Sequence, residues 1–250
     1  MTERAGADEA PLVKESADSA PRFLETTHFL DWESEPVQLF TRSAVGDATD
    51  PVQVAGLIFA AVRDRIWYDP YTVSDNPDHY RASYVAAADS AYCVPKAVLL
   101  TAVARAAGIP ARLGFCDVRN HLQTPALRRR MGGSDVFVYH GYSEMLLQGR
   151  WVKATPAFNR ELCSRFGVEP IEFDGRSDAL LHQYSADGAR HMEYLRDHGW
   201  FTDLPLAEIL AALRFYYGGF VEEPAPLDTF RAPTSAQTNR QRVEPAKGES

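Results

Sequence analysis

The residues of this chain that could carry out nucleophilic chemistry are its three cysteines, assisted by its seven histidines. Cys93 differs from Cys116 and Cys163 because it opens a segment with strong helical periodicity. A helix N-terminus presents unpaired N–H groups and aligned peptide dipoles, whose partial positive charge favours thiolate over thiol. An ordinary thiol, with a pKa of about 8.5, is mostly protonated at neutral pH. The position of Cys93 therefore predicts a catalytic thiol of lowered pKa, against the commoner use of cysteine as a small apolar side chain.

A thiol nucleophile needs a base within hydrogen-bond reach, and that base is usually a histidine. His140 ends a segment of strand-like alternation and is followed by a hairpin, so a rigid scaffold would carry its ring. His79 and His121 lie in turn-rich segments, and the histidines of the polar C-terminal third are typical of solvated surface. His140 is thus the predicted base, with His121 in reserve.

Eight segments show the periodicity of regular structure and would position these side chains. Apolar residues spaced three and four apart predict helices, and alternation predicts strands. The pair Gln148-Gly149 between two strand-like segments predicts a tight hairpin turn. The predicted helices cover 51–66, 93–107, 187–197 and 205–215, and the predicted strands cover 111–118, 135–140, 142–147 and 150–154. Helices followed by antiparallel strands indicate an α+β fold.

Composition and charge exclude several classes of protein. The 26 Lys and Arg residues against 34 Asp and Glu residues give a net charge of −8, which provides no field to hold a nucleic acid. An odd cysteine count without close pairs argues against a disulfide scaffold and favours a reduced, cytoplasmic setting. The first 22 residues lack the hydrophobic stretch of an export signal, and the longest apolar run, 54–62, is too short to span a membrane. We expect a cytoplasmic protein without a nucleic-acid or membrane partner.

One domain over residues 23–220 is predicted between two tails. Residues 1–22 have no aromatic residue and are predicted to be disordered, and residues 221–250 form a Pro-rich segment predicted to be flexible. His191, Glu193 and His198 do not have the spacing of a zincin motif, so no metal site and no cofactor are predicted.

Three sequence blocks resemble the transglutaminase-like superfamily, whose thiol-enzyme core is similar to that of papain. Residues 92–112 contain Cys93 and end in the turn GIPAR, residues 139–144 contain His140, and residues 149–156 read GRWVKATP. The blocks keep the family's order and separations over about residues 50–160. The resemblance implies that Cys93 is the nucleophile and His140 the general base. It also implies a nucleophile helix packed on an antiparallel sheet, here followed by a helical C-terminal extension.

The sequence departs from the family at the third catalytic position, where Thr155 stands in place of an aspartate. An aspartate fixes the histidine tautomer and stabilises the imidazolium, whereas a hydroxyl orients the ring without charge. Three interpretations remain open. Thr155 orients His140, or a residue from elsewhere (Asn159, Asp174 or Glu144) replaces the aspartate, or the site is inactive and binds without catalysis.

Other polar residues are candidates for substrate contacts. The backbone N–H of Cys93 is a natural donor to a developing oxyanion, and Tyr92, with Tyr80 and Tyr84 as alternatives, could add a side-chain donor. Asn120 and His121 follow a predicted strand and could bind a substrate carbonyl or carboxylate at the sheet edge, although a solvated turn is equally compatible with them.

The sequence as a whole therefore predicts a thiol-dependent hydrolase or acyltransferase. The favoured reaction is hydrolysis of an amide or peptide bond through an acyl-thioester on Cys93. The alternatives are acyl transfer to an amine, in crosslinking or amide formation, and a catalytically inactive peptide-binding domain. The expected partner is a peptide or small-molecule amide, and the oligomeric state stays open.

Overall fold

A computed structural model describes residues 17–121, 123–180, 192–218, 226 and 228–231. Within these ranges the chain forms helices and an antiparallel sheet, so the α+β prediction is confirmed. The α-helices are α1 (Glu35–Val45), α2 (Pro51–Arg65), α3 (Ala82–Ala86), α4 (Cys93–Ala106), α5 (Pro125–Arg130), α6 (Arg160–Phe166) and α7 (Leu206–Tyr217). The strands are β1 (Trp67–Tyr68), β2 (Ser90–Ala91), β3 (Ala111–Asn120), β4 (Val136–Leu147), β5 (Arg150–Ala154) and β6 (Met192–Phe201). Two 3-10 helices cover Ala17–Leu24 and Pro77–Tyr80.

Helix α4 lies at the centre of the core. Every residue from Cys93 to Arg105 is buried, because α1, α2, α3 and β4 all contact this helix. Alanine, valine and leucine make up most of its sequence, and a helix that is apolar on all sides belongs inside a protein. The chain leaves the helix through Gly108, whose φ of 79° is a conformation that glycine adopts without strain. The helix predicted over 93–107 is confirmed.

A four-stranded antiparallel sheet packs against α4 in the order β5-β4-β3-β6. The β4–β5 hairpin turns at Gln148 and Gly149, which have φ angles of 52° and 77°, as the sequence predicted. Strand β4 is continuous, so the two strands predicted over 135–140 and 142–147 are one. Gly141 does not interrupt it, because its backbone stays paired with Phe115 of β3.

The predicted C-terminal helices have different outcomes. The helix predicted over 205–215 is confirmed as α7. Nearer the N-terminus, the helix predicted over 51–66 is confirmed as α2. Asp50 caps α2 by accepting a hydrogen bond from Gln53 N at 2.9 Å. The helix predicted over 187–197 is wrong. Residues 181–191 lie outside the described residues, and the chain from Met192 onward forms β6, which pairs with β3. Pairing with a neighbouring strand outweighs a weak helical spacing.

Two residues of the segment predicted as a C-terminal tail, Phe230 and Arg231, contact the domain. Phe230 is buried, and its ring contacts the rings of Tyr68 and Phe166. Its carbonyl oxygen accepts a hydrogen bond from Trp67 Nε1. Arg231 extends the anchor with an ion pair to Asp69 at 2.8 Å.

The N-terminal segment also contributes to the fold. The 3-10 helix Ala17–Leu24 overlaps the tail predicted over 1–22, and Phe23 within it is fully buried. Its ring meets Trp151 edge-on, with ring centroids 4.9 Å apart. The domain boundaries 23–220 stay a prediction.

A buried lysine joins α4 to the end of α2. Lys96 is fully buried, and its Nζ donates to the carbonyl oxygens of Arg63, at 2.9 Å, and Ile66. The last carbonyls of a helix have no partner within it, so this amine caps α2. Burial lowers the pKa of Lys96 to about 7, because withdrawal from water disfavours the ammonium form.

The Lys96→Met substitution is expected to change how stability depends on pH. From about pH 7 up to the ordinary lysine pKa, the unfolded chain binds the Lys96 proton and the folded chain does not. The free energy of unfolding of the wild type therefore rises with pH by about 1.4 kcal/mol per unit in this window, and Lys96→Met lacks that rise. Urea denaturation at about pH 7 and pH 8.5 measures the difference.

Lys153→Met is the matched control, since Lys153 lies in the sheet beside Glu144 and its pKa is raised. This variant should keep the slope of the wild type. Equal slopes in the wild type and Lys96→Met would contradict the prediction.

Candidate active site

The Cys93 thiol lies at the N-terminus of α4, as the sequence predicts. Tyr92 occupies the N-cap position in an extended conformation. The backbone N–H groups of Val94 at this helix end and of Gly141 on β4 lie close enough to the sulfur to favour its thiolate form. Backbone groups of two different elements thus hold the thiol.

Burial nevertheless raises the pKa of the Cys93 thiol to about 11. Only 7% of the residue is exposed, and a buried site disfavours the charged form. The hydrogen bonds from Gly141 and Val94 lower the pKa without outweighing burial. The predicted lowering of the thiol pKa is therefore wrong for the substrate-free protein. Cys93 rests as a neutral thiol, and a base must remove its proton during a reaction.

Gly141 allows β4 to approach the start of α4 closely. A Cβ atom at this position would lie 3.1 Å from the carbonyl oxygen of Cys93 and 3.2 Å from Cβ of Ala97. Strand β5 pairs with β4 only as far as Ser143, opposite Ala154, so Gly141 lies beyond the end of that ladder. Its N–H is thus available to the thiol.

His140, the predicted base, directly precedes Gly141 on β4. Because Gly141 lies against the thiol, the backbone of His140 is close to Cys93 as well. The residue is buried, with 3% exposed, and pairs across the sheet with Cys116. The structure therefore brings the segments of Cys93 and His140 together at one end of α4. The catalytic roles of these two residues stay proposals.

Thr155 follows β5 directly at the same end of the sheet. The register that pairs Ser143 with Ala154 places Thr155 opposite Tyr142 in the next position, on the face that His140 shares. Its N–H donates to the carbonyl oxygen of Ala179 at 2.8 Å. Its Oγ1 is buried, with no hydrogen-bond partner within the described ranges. Thr155 thus lies beside the strand that carries His140, its hydroxyl is not hydrogen-bonded to His140, and its catalytic role stays a prediction.

The residues proposed to replace the aspartate are engaged elsewhere. Asn159 is buried, and its Oδ1 accepts from Tyr68 N at 3.2 Å. Asp174 is exposed, and its carboxylate accepts from two backbone N–H groups of its own turn, which lower its pKa. Glu144 is buried in an ion pair with Arg112 at 2.6 Å. None of these hydrogen bonds or ion pairs joins the carboxylate or amide to His140.

The predicted accessory residues are also spread over the fold. Tyr92 borders the thiol, but its hydroxyl donates to the Tyr80 hydroxyl at 3.3 Å. Tyr84 is exposed and stacks on His79. Asn120 is buried at the end of β3, and the exposed His121 pairs with Glu193 at 2.8 Å, so the structure does not bring this pair to Cys93.

Two features near the thiol were not predicted from the sequence. Leu213 and Tyr217 of α7 line a small pocket at Cys93, together with Met131. Tyr139, next to His140, has a positive φ of 53°, which is unusual for a residue other than glycine. The only sequence signal was the aromatic run 215–217, which suggested packing of the last helix.

The described residues offer neither a metal centre nor a membrane-spanning helix. Within them, no three His, Cys, Asp or Glu side chains gather closely enough to hold a metal ion. The helices of these same ranges are too short or too polar to cross a bilayer.

Comparison with known proteins identifies the family. Residues 38–156, which include Cys93, His140 and Thr155, match the model of the transglutaminase-like superfamily. Residues 38–156 thus form a transglutaminase-like region, and members of this superfamily are in general thiol-dependent enzymes. No curated protein matches the chain in sequence.

The chain is also similar to three solved structures. A Cytophaga hutchinsonii protein provisionally assigned as a cysteine protease aligns over 81% of this chain and 52% of its own, with 17% identity and a TM-score of 0.46. Red sea bream transglutaminase aligns over 51% and 27%, with 16% identity and a TM-score of 0.35. The arylamine N-acetyltransferase from Mycobacterium abscessus aligns over 79% and 76%, with 13% identity and a TM-score of 0.42. This chain thus spans about half the length of the first of these structures.

Alkylation of Cys93 should be slow at neutral pH and should accelerate as the pH rises towards 11, because only the thiolate reacts. Iodoacetamide labelling followed by peptide mass spectrometry measures the rate at each pH. The urea-unfolded chain is the control, and its cysteines should follow the ordinary pKa of about 8.5. A labelling rate of folded Cys93 that reaches its plateau below about pH 8 would contradict the raised pKa.

Proposed function

We propose that this protein is a thiol enzyme that cleaves an amide or peptide bond through an acyl-thioester on Cys93. The carrying observation is the position of the thiol, which lies at the start of α4 against the N–H of Gly141, the residue that follows His140. The superfamily match over residues 38–156 supports the same assignment. The substrate is a peptide or a small amide.

The proposed reaction begins from a neutral thiol. His140 takes the proton of Cys93 as the sulfur attacks the carbonyl carbon, and the carbonyl oxygen becomes an oxyanion that backbone N–H groups at the helix start stabilise. The carbon–nitrogen bond then breaks, and the leaving amine takes the proton from His140. A water molecule next gives a proton to His140 and attacks the thioester. The acid leaves, and the sulfur recovers the proton.

Acyl transfer to an amine is the second candidate. The surroundings of the thiol favour it, since the pocket at Cys93 is lined by aromatic and aliphatic side chains that exclude water. An amine that enters this site would take the acyl group in place of water. The chemistry up to the thioester is the same for both reactions.

A trapped acyl-enzyme tests the proposal. The protein is mixed with p-nitrophenyl acetate, nitrophenol release is followed, and the intact mass is measured. We expect one acetyl group on Cys93, no acetylation at this position in Cys93→Ala, and acylation slower by about 100-fold or more in His140→Ala. Adding an arylamine or an amino-acid amide then divides the product between acid and amide, which separates hydrolysis from transfer.

The alternative that the protein is an inactive binding domain, which Thr155 favours, predicts the opposite result for acylation of Cys93. In that case Cys93 would acetylate no faster than Cys116, and the rate would not depend on His140. This result would overturn the enzyme proposal.

A further inference from the structure

A small apolar pocket opens onto the Cys93 thiol. Its cavity volume is about 30 Å³, and its described walls carry no charged or amide side chain. The strand side is formed by Phe137 and Val138, and the opposite side by Leu213 and Tyr217 of α7.

Two of the three tyrosine hydroxyls that border this pocket, those of Tyr217 and Tyr92, are bound to other groups, and the third belongs to Tyr68. The Tyr217 hydroxyl donates to the carbonyl oxygen of Val136 at 2.8 Å and accepts from the N–H of Val138 at 2.7 Å. The Tyr92 hydroxyl is bound to Tyr80. These two hydroxyls are therefore engaged, and their rings present carbon to the cavity.

We propose that this pocket receives the acyl side of the substrate and selects short apolar acyl groups of acetyl to propionyl size. The walls are mostly carbon, so a polar group placed here would lose its hydration and find few partners, which is unfavourable. One water molecule needs about 10–15 Å³ of such volume, so about 30 Å³ accommodates roughly two non-hydrogen atoms. Because the thiol borders the pocket, those atoms belong to the group attached to the carbonyl under attack. This inference rests on the proposed acyl-thioester, and of the two proposed substrates it selects a small amide over a peptide.

A chain-length series tests the size limit. Acylation of Cys93 is measured with the p-nitrophenyl esters of acetate, propionate, butanoate, hexanoate and octanoate. In the wild type we expect the rate to fall by about tenfold or more from propionate to hexanoate. Leu213→Ala shortens one of the two α7 side chains that line the pocket. The ester that acylates Cys93 fastest should then be butanoate or hexanoate. Val73→Ala, on another wall of the pocket, should shift this preference in the same direction and serves if Leu213→Ala does not fold.

The matched control is Leu210→Ala, which removes the same atoms from the same helix. Leu210 lines a different groove, beside Phe29 and Leu204, and its replacement should leave the chain-length profile unchanged. A flat profile in the wild type, or a profile that Leu213→Ala and Val73→Ala leave unchanged, overturns the pocket assignment while the acyl-enzyme stands. No acylation of Cys93 by any ester overturns the proposed function, and the pocket assignment with it.

A second, independent observation concerns the strand just before His140. Cys116 pairs with His140 and Val118 pairs with Phe137, so two residues of β4 oppose the single residue Asp117 of β3. This is a β-bulge, a device that redirects the side chains beside it. Tyr139 within the bulge has the positive φ of 53°, which requires support from its surroundings.

Side chains from two other strands hold the bulge. Asp117 Oδ1 accepts a hydrogen bond from Tyr139 N at 3.0 Å and contacts His198 Nε2 at 2.7 Å. The His198 ring stacks on the Tyr139 ring, with centroids 4.1 Å apart and an interplanar angle of 16°.

The geometry points to Asp117 and His198 as positioning residues for His140. They fix the backbone that carries the base, in a protein where Thr155 offers no carboxylate to orient the ring. This role also rests on the proposed function. Displacement of a catalytic group by about 1 Å costs up to about 100-fold in rate.

A double-mutant cycle separates this role from simple stabilisation. Introduced into the wild type, Asp117→Ala should slow acylation of Cys93 by about tenfold or more. Introduced into the His140→Ala variant, it should slow acylation by less than about twofold, because the effects of residues that act together do not add. Asp117→Asn keeps an acceptor for Tyr139 N and should recover most of the rate. Tyr139→Gly tolerates the positive φ and should reduce the effect of Asp117→Ala.

The control is Asp135→Ala, which removes a carboxylate paired with Arg119 away from the bulge and should leave the rate unchanged. Equal losses on Asp117→Ala with and without His140 indicate a structural role and overturn the positioning assignment. A wild type that does not acylate at Cys93 overturns the proposed function and this role together.

Discussion

The close approach of β4 to the N-terminus of α4 is the constraint on which the rest of the site depends. Gly141 has no side chain to separate the strand from Cys93, and its N–H reaches the sulfur. Because β5 ends before this point, the backbone of β4 is available to the thiol there. A central helix buried on all sides then fixes the thiol against the strand that carries His140.

Two physical effects compete at Cys93, and their magnitudes decide the resting state. The helix end and the backbone donors favour a thiolate, while burial among aromatic and aliphatic side chains favours the neutral thiol, and burial prevails. Such a site protects its sulfur from adventitious oxidants and alkylating agents, which react with thiolate. Under the proposed function, reactivity then depends on His140 and on the substrate entering the pocket.

Prediction from the sequence succeeded for elements that carry local signals and failed where distant contacts decide the structure. The start of α4 at Cys93 follows from helical periodicity, and helix α2 follows from Asp50 and an apolar stripe. His140 lies within the continuous strand β4 and not at the strand end that the sequence indicated. Strand β6 could not be predicted, because its conformation comes from pairing with β3 and its own residues have no strong alternation. The roles of Asp117 and Tyr217 also depend on partners far away in the chain, such as Val138 for Tyr217.

The anchor at Phe230 has a consequence for biosynthesis. The hydrogen bond between Trp67 and Phe230 joins residues that are 163 positions apart. Contacts of such separation close late, because chain entropy must be lost before they form. During translation, the surface of Trp67 that Phe230 covers stays uncovered until Phe230 itself has left the ribosome. The nascent protein therefore exposes aromatic side chains while these 163 residues are made, and a chaperone would bind it during that interval.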